Sequence, residues 1–127
     1  MEKKVYILGN PLVRADSKVF DLLPHLSKVF SGLKFEWYDP TEEIDLNINS
    51  DLIMLDSGIN LKKTALFQDL KYFELSPRNS VHDYDLPLQL GIMKKLGKFK
   101  KIYIIAIPAK GRTSKIFQEV KTILSAI

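Results

Sequence analysis

Apolar residues gather in three short unbroken runs, at Val5-Tyr6-Ile7-Leu8, at Leu52-Ile53-Met54-Leu55 and at Ile102-Tyr103-Ile104-Ile105-Ala106-Ile107. Runs of this length, rich in β-branched residues and carrying no alternation, are the pattern of central strands covered on both faces. Between the first two runs the period changes. Val19, Phe20, Leu22, Leu23, Leu26, Val29 and Phe30 recur at helical spacing, which predicts a helix over 17–31 that Gly32 stops and Pro24 kinks. Lys34 to Tyr38 alternates and predicts a strand ending at Asp39-Pro40-Thr41, ahead of a polar loop over 41–50. Thr64 to Phe67 and Lys71 to Leu75 read as two short edge strands joined in a hairpin by Gln68-Asp69. Leu86, Leu90, Met93 and Leu96 predict an amphipathic helix closed by Gly97, and residues 114–126 predict another, with Ile116, Phe117, Val120, Ile123 and Leu124 along one side.

Strands alternating with helices imply an α/β fold: three layers, with a mostly parallel twisted sheet of about five strands flanked by helices on both faces. Right-handed crossovers then bring the loops that follow the strands to one edge of the sheet, where such folds bind ligands. The length of 127 residues suits a single domain over 1–127 with one core.

Composition narrows the function. There is no cysteine, so disulfides, thiolate metal sites and cysteine nucleophiles are excluded and any metal must use His and carboxylates. The apolar run before Gly9 is too short for a signal peptide and IYIIAIPA is far too short to span a bilayer, which points to a cytoplasmic protein without membrane insertion. The net charge of +4 comes from lysines scattered in pairs such as Lys3-Lys4 and Lys94-Lys95, without interleaved aromatics, so they read as solvated faces and not as a nucleic-acid surface. A monomer is expected.

Three residues converge on the predicted binding edge. Asp16 follows the first strand through a Gly9-Asn10-Pro11 corner, Asp56 ends the Leu52 run, and His82 precedes the Leu86 helix. Two carboxylates and an imidazole form a ligand set suited to zinc, nickel or a similar divalent ion. Each residue also has a plain structural reading. Asp16 can cap the first helix, Asp56 can sit in an Asx-turn before Gly58, and His82 can be a loop histidine beside a capping Asp83. His25, inside the first helix, receives no role.

The segment Ile7-Leu8-Gly9-Asn10-Pro11-Leu12 with Asp16, then Asp51 to Asp56, then Ser80-Val81-His82-Asp83 with Asp85-Leu86, resembles the hydrogenase maturation proteases. These endopeptidases remove a C-terminal extension from the large subunit of NiFe hydrogenases. The likeness runs in order from the amino terminus to Ile107-Pro108. It implies that Asp16, Asp56 and His82 are the metal-binding and catalytic positions, and it implies a twisted sheet between helices. In that setting Gly9 allows a sharp exit from the sheet and Pro11 stiffens it, bringing Asp16 back over the edge. The chain departs from the family at Ala15, where a second acid is usual, in having no glycine soon after Asp16, and at Asp39-Pro40-Thr41, where a glycine-rich turn is common.

The resemblance implies hydrolysis of one peptide bond in a NiFe hydrogenase large-subunit precursor after nickel insertion. Nickel would be supplied by the precursor, with no organic cofactor. A divalent ion there can polarise the scissile carbonyl and bring the pKa of bound water toward ~7. Asp16 or Asp56 could instead act as general base. The alternative is a non-catalytic α/β binding module, either holding the precursor or its metal, or receiver-like with Asp56 as phosphoacceptor and Lys110 after the last strand.

Overall fold

A computed structural model describes residues 3–9, 17–38, 51–58, 61–75 and 86–127. Its strands are β1 (Lys3–Ile7), β2 (Leu33–Trp37), β3 (Leu52–Gly58), β4 (Ala65–Phe67) and β5 (Ile102–Pro108). Its helices are α1 (Ser17–Val29), α2 (Tyr72–Leu75), α3 (Leu86–Lys95) and α4 (Thr113–Ala126). The strands form one sheet in the order β2-β1-β3-β5-β4. β2, β1, β3 and β5 run parallel and β4 runs antiparallel to β5.

The three apolar runs are the three inner strands, and their period of two divides the core between the faces of the sheet. On one face Val5, Ile7, Ile53, Leu55, Ile105 and Ile107 meet Val19, Leu22 and Leu26 of α1 and Ile116, Val120 and Leu124 of α4. On the other Tyr6, Leu8, Leu52, Met54, Ile104 and Ala106 meet Tyr72 and Phe73 of α2 and Leu86 and Leu90 of α3. The sheet therefore lies between two helical layers, as the pattern predicts. Each fully buried aliphatic side chain contributes roughly 1.5–3 kcal/mol relative to exposure, so the opposed faces supply most of the driving force for folding.

Helix ends follow local chemistry. The amides of Gly97 and Lys98 donate to the carbonyls of Lys94 and Met93, at 3.1 and 3.0 Å, and Gly97 has a φ of +72°. This pair of bonds is the Schellman closure, which needs a left-handed residue at Gly97. α1 runs through Pro24 and ends at Val29, followed by a turn at Ser31-Gly32.

Two expectations are corrected. The hairpin of 64–67 with 71–75 does not form: β4 pairs with β5, and Tyr72–Leu75 is a helical turn. Asp69 starts that turn, its Oδ1 accepting the Lys71 amide at 2.9 Å and its carbonyl accepting the Tyr72 amide at 3.1 Å. The adjacent rings of Tyr72 and Phe73 are then buried in the same core, where a strand would send them to opposite faces. The second correction is that β3 does not end at Asp56 but continues to Gly58, because β5 pairs with it as far as Pro108.

Candidate functional site

The order of the strands creates the site. From β1 the chain moves through α1 to β2 on one side, and it returns to place β3 on the opposite side of β1. At such a reversal the loops leave the sheet in opposite directions, opening a crevice at the carboxyl ends of the two strands. The Leu8 amide donates to the Leu55 carbonyl at 2.9 Å, so the end of β1 is tied to the residue just before Asp56. On its other side the Ile7 carbonyl accepts the Tyr38 amide at 2.8 Å.

Asp56 is a carboxylate inside this sheet, only 2% exposed and aligned with Ala106 of β5. A buried carboxyl needs hydrogen-bond partners to offset its desolvation. The Tyr72 hydroxyl donates to Asp56 Oδ2 at 2.8 Å. The Tyr72 ring is held by Phe67, with centroids 4.8 Å apart, and by Phe73 at 5.2 Å in an edge-to-face contact. The turn that sequence reading assigned to a strand thus supplies the residue that orients the site's carboxylate. The local signal of that turn is Asp69, a residue type that caps a helical start.

Ser57, next along β3, is buried on the opposite face, and its Oγ has no hydrogen-bond partner among the described residues. Gly58 closes the strand where Leu61 crosses it, and a Cβ there would lie 2.4 Å from Leu61 Cδ1. Asp56, Ser57 and Gly58 therefore serve three purposes: a polar group aimed toward α2, a second polar group toward the α1 and α4 layer, and room for the departing chain.

Of the Gly9-Asn10-Pro11 corner, Gly9 lies within the described residues. Gly9 has a φ of +113°, a conformation that favours glycine, and its carbonyl accepts the indole N–H of Trp37 at 2.6 Å. Tyr38 lies on the Asp56 face, where its hydroxyl donates to Gln89 Oε1 of α3. Asp16 and His82 lie outside the described residues, as do Asn10, Pro11 and Ala15. The described chain places their neighbours: Ser17 opens α1 and Leu86, buried on the Asp56 face, opens α3. Among the described residues no group of three His, Cys, Asp or Glu side chains is assembled for a metal. Nor is any helix there long and apolar enough to cross a membrane.

No family model matches the chain, and no curated protein matches it by sequence. Solved structures do match. The hydrogenase maturating endopeptidase HybD from E. coli superposes with a TM-score of 0.63 at 15% identity, over 99% of this chain and 93% of that one. An endopeptidase from Escherichia coli whose structure was determined in solution superposes with a TM-score of 0.65 at 16% identity, over 99% of this chain and 89% of that one. Nearly the whole chain thus shares the fold of these endopeptidases.

Proposed function

We propose that this protein is an endopeptidase of hydrogenase maturation, removing the C-terminal extension of a NiFe hydrogenase large-subunit precursor once nickel has been inserted. The observation that carries the reading is Asp56, a carboxylate buried at the carboxyl edge beside the β1–β3 reversal, in a chain that shares its fold over nearly its full length with hydrogenase maturating endopeptidase HybD.

In this reading the precursor brings its own nickel, and Asp16, Asp56 and His82 complete the coordination of that ion. Carboxylate and imidazole donors suit a borderline divalent metal. Tyr72 holds one carboxylate oxygen of Asp56 by a hydrogen bond, which fixes the side chain's orientation. Gly9 turns the chain as it leaves β1, and Leu86, four residues after His82 in sequence, is buried on the face that Asp56 occupies. With no cysteine in the protein, the nucleophile is water, activated by the substrate's metal or by one of the two aspartates. The protein works in the cytoplasm, as a monomer.

The test is the mass of a nickel-loaded large-subunit precursor before and after incubation with the protein, beside the same precursor without nickel. Loss of a C-terminal peptide from the loaded precursor alone is expected. No loss from either, with a folded protein and its cognate client, overturns the reading in favour of a binding module.

A further inference from the structure

Beyond Asp56, the same edge of the sheet carries a second concavity. Lys62, Lys110, Arg112 and Lys115 line a cavity of about 370 Å³ whose wall includes Pro108 and Glu119. Pro108 is aligned with Gly58, two residues or roughly 7 Å along β3 from Asp56, and the α4 residues in its wall put the cavity on the α4 side of the sheet, so a chain that reaches both crosses the end of the sheet.

Its charge is one-sided. Against the four cations stands one carboxylate, Glu119, and that group accepts the Thr64 hydroxyl at 3.0 Å. The ion pairs among the described residues are Lys4–Glu36 and Lys34–Glu36, so none of the cavity's cations is paired there. Like charges gathered around a concave surface repel one another and raise the local concentration of anions. The backbone adds to this. α4 begins at the same place, and Arg112 gives its first turn no side-chain cap, so the helix's free amides are left to another acceptor. Gly111, with a φ of +135°, turns the chain there, and Lys18 Nζ fixes that turn by donating to the Gly111 carbonyl at 3.0 Å.

We propose that this cavity holds the carboxylates of an acidic segment of the polypeptide substrate, docking it while the scissile bond lies at Asp56. The proposal rests on the endopeptidase reading, which requires a polypeptide to pass along this edge. Three of the four cations are lysines, flexible point charges that accept carboxylates spaced variably along a chain. The cavity is also large enough for two or more side chains, where a single inorganic oxyanion would fill only a fraction of it.

The test is a titration of the isotope-labelled protein with tetraglutamate, read from its backbone amide resonances, beside tetraglutamine and inorganic phosphate. Tetraglutamate is expected to shift Gly111 and the first turn of α4 saturably, with affinity falling as salt rises. Both Lys110→Ala/Arg112→Ala and Lys62→Ala/Lys115→Ala should weaken binding at least about tenfold, the second pair leaving the residues that lead into α4 intact. Lys98→Ala/Lys100→Ala, which removes equal charge elsewhere, should not. Equal shifts with tetraglutamine, equal loss in the Lys98/Lys100 variant, or displacement of the peptide by equimolar phosphate would overturn the proposal. Because this readout needs no cleavage, its failure is distinct from failure of the precursor assay.

Discussion

Tyr72 and Asp56, sixteen residues apart in the chain, meet through a buried 2.8 Å hydrogen bond that joins a short helical turn to the central strand β3. Tyr72→Phe keeps the ring that packs on Phe67 and Phe73 and removes only the donor. A buried carboxyl that loses a partner costs about 1–3 kcal/mol. Urea unfolding should show a lower midpoint with an unchanged slope, and an unmoved midpoint would mean that the hydroxyl contributes nothing to the fold.

Asp56→Asn retains the shape of the side chain but removes its capacity to bind a metal as a carboxylate. Processing of the nickel-loaded precursor should fall ~100-fold or more, a loss of the size seen when a positioned acid–base or ligand group is removed. Asp16→Ala and His82→Ala should have the same effect with circular dichroism unchanged. Loss of the folded spectrum in either would assign that residue to the fold instead of the chemistry.

Gly58→Ala places a methyl group 2.4 Å from Leu61 Cδ1 and 2.8 Å from its Cγ. Leu61 must move, and overpacking of this kind costs about 1–3 kcal/mol. Thermal unfolding measures it. Adding Leu61→Ala to the variant should recover part of the loss, and no recovery would show that the strain arises elsewhere.

Leu22 and Leu88 separate a core position from a surface one. Leu22 of α1 is fully buried, whereas Leu88 of α3 is 67% exposed. Leu22→Ala should cost about 2–5 kcal/mol through lost burial and a residual cavity. Leu88→Ala should lie within about 0.5 kcal/mol of the parent. Comparable denaturation midpoints for the two variants would contradict the packing of the α1 layer.

The three central strands could be read directly because burial on both faces erases alternation and leaves an unmistakable run, as Ile102 to Ile107 illustrates. The helix stop at Gly97 was legible for the same kind of local reason, whereas α1 ends at Val29, short of Gly32. Tyr72 was not. Lys71 to Leu75 is too short for a period to register, and only the tertiary pairing of β4 with β5 removes the partner a hairpin would have required. Of the site, Asp56 was legible as the acid after an apolar run, but its burial depends on β5 extending alongside it. Asp16 and His82 fall outside the described residues, so their readings stand on the sequence and its resemblance.

The position of β5 between β3 and β4 has a consequence for how the protein is made. β1 and β2 are linked by a single helix and can pair as soon as both have left the ribosome. β3 cannot complete its pairing so early, since Leu52 finds its partner in Ile102, fifty residues later. Until then one long apolar edge of β3 has no strand beside it, and closing so large a loop slows the step that would cover it. A nascent chain halted before residue 102 therefore leaves this apolar strand uncovered, and the late strand is the point at which synthesis commits the chain to its folded form.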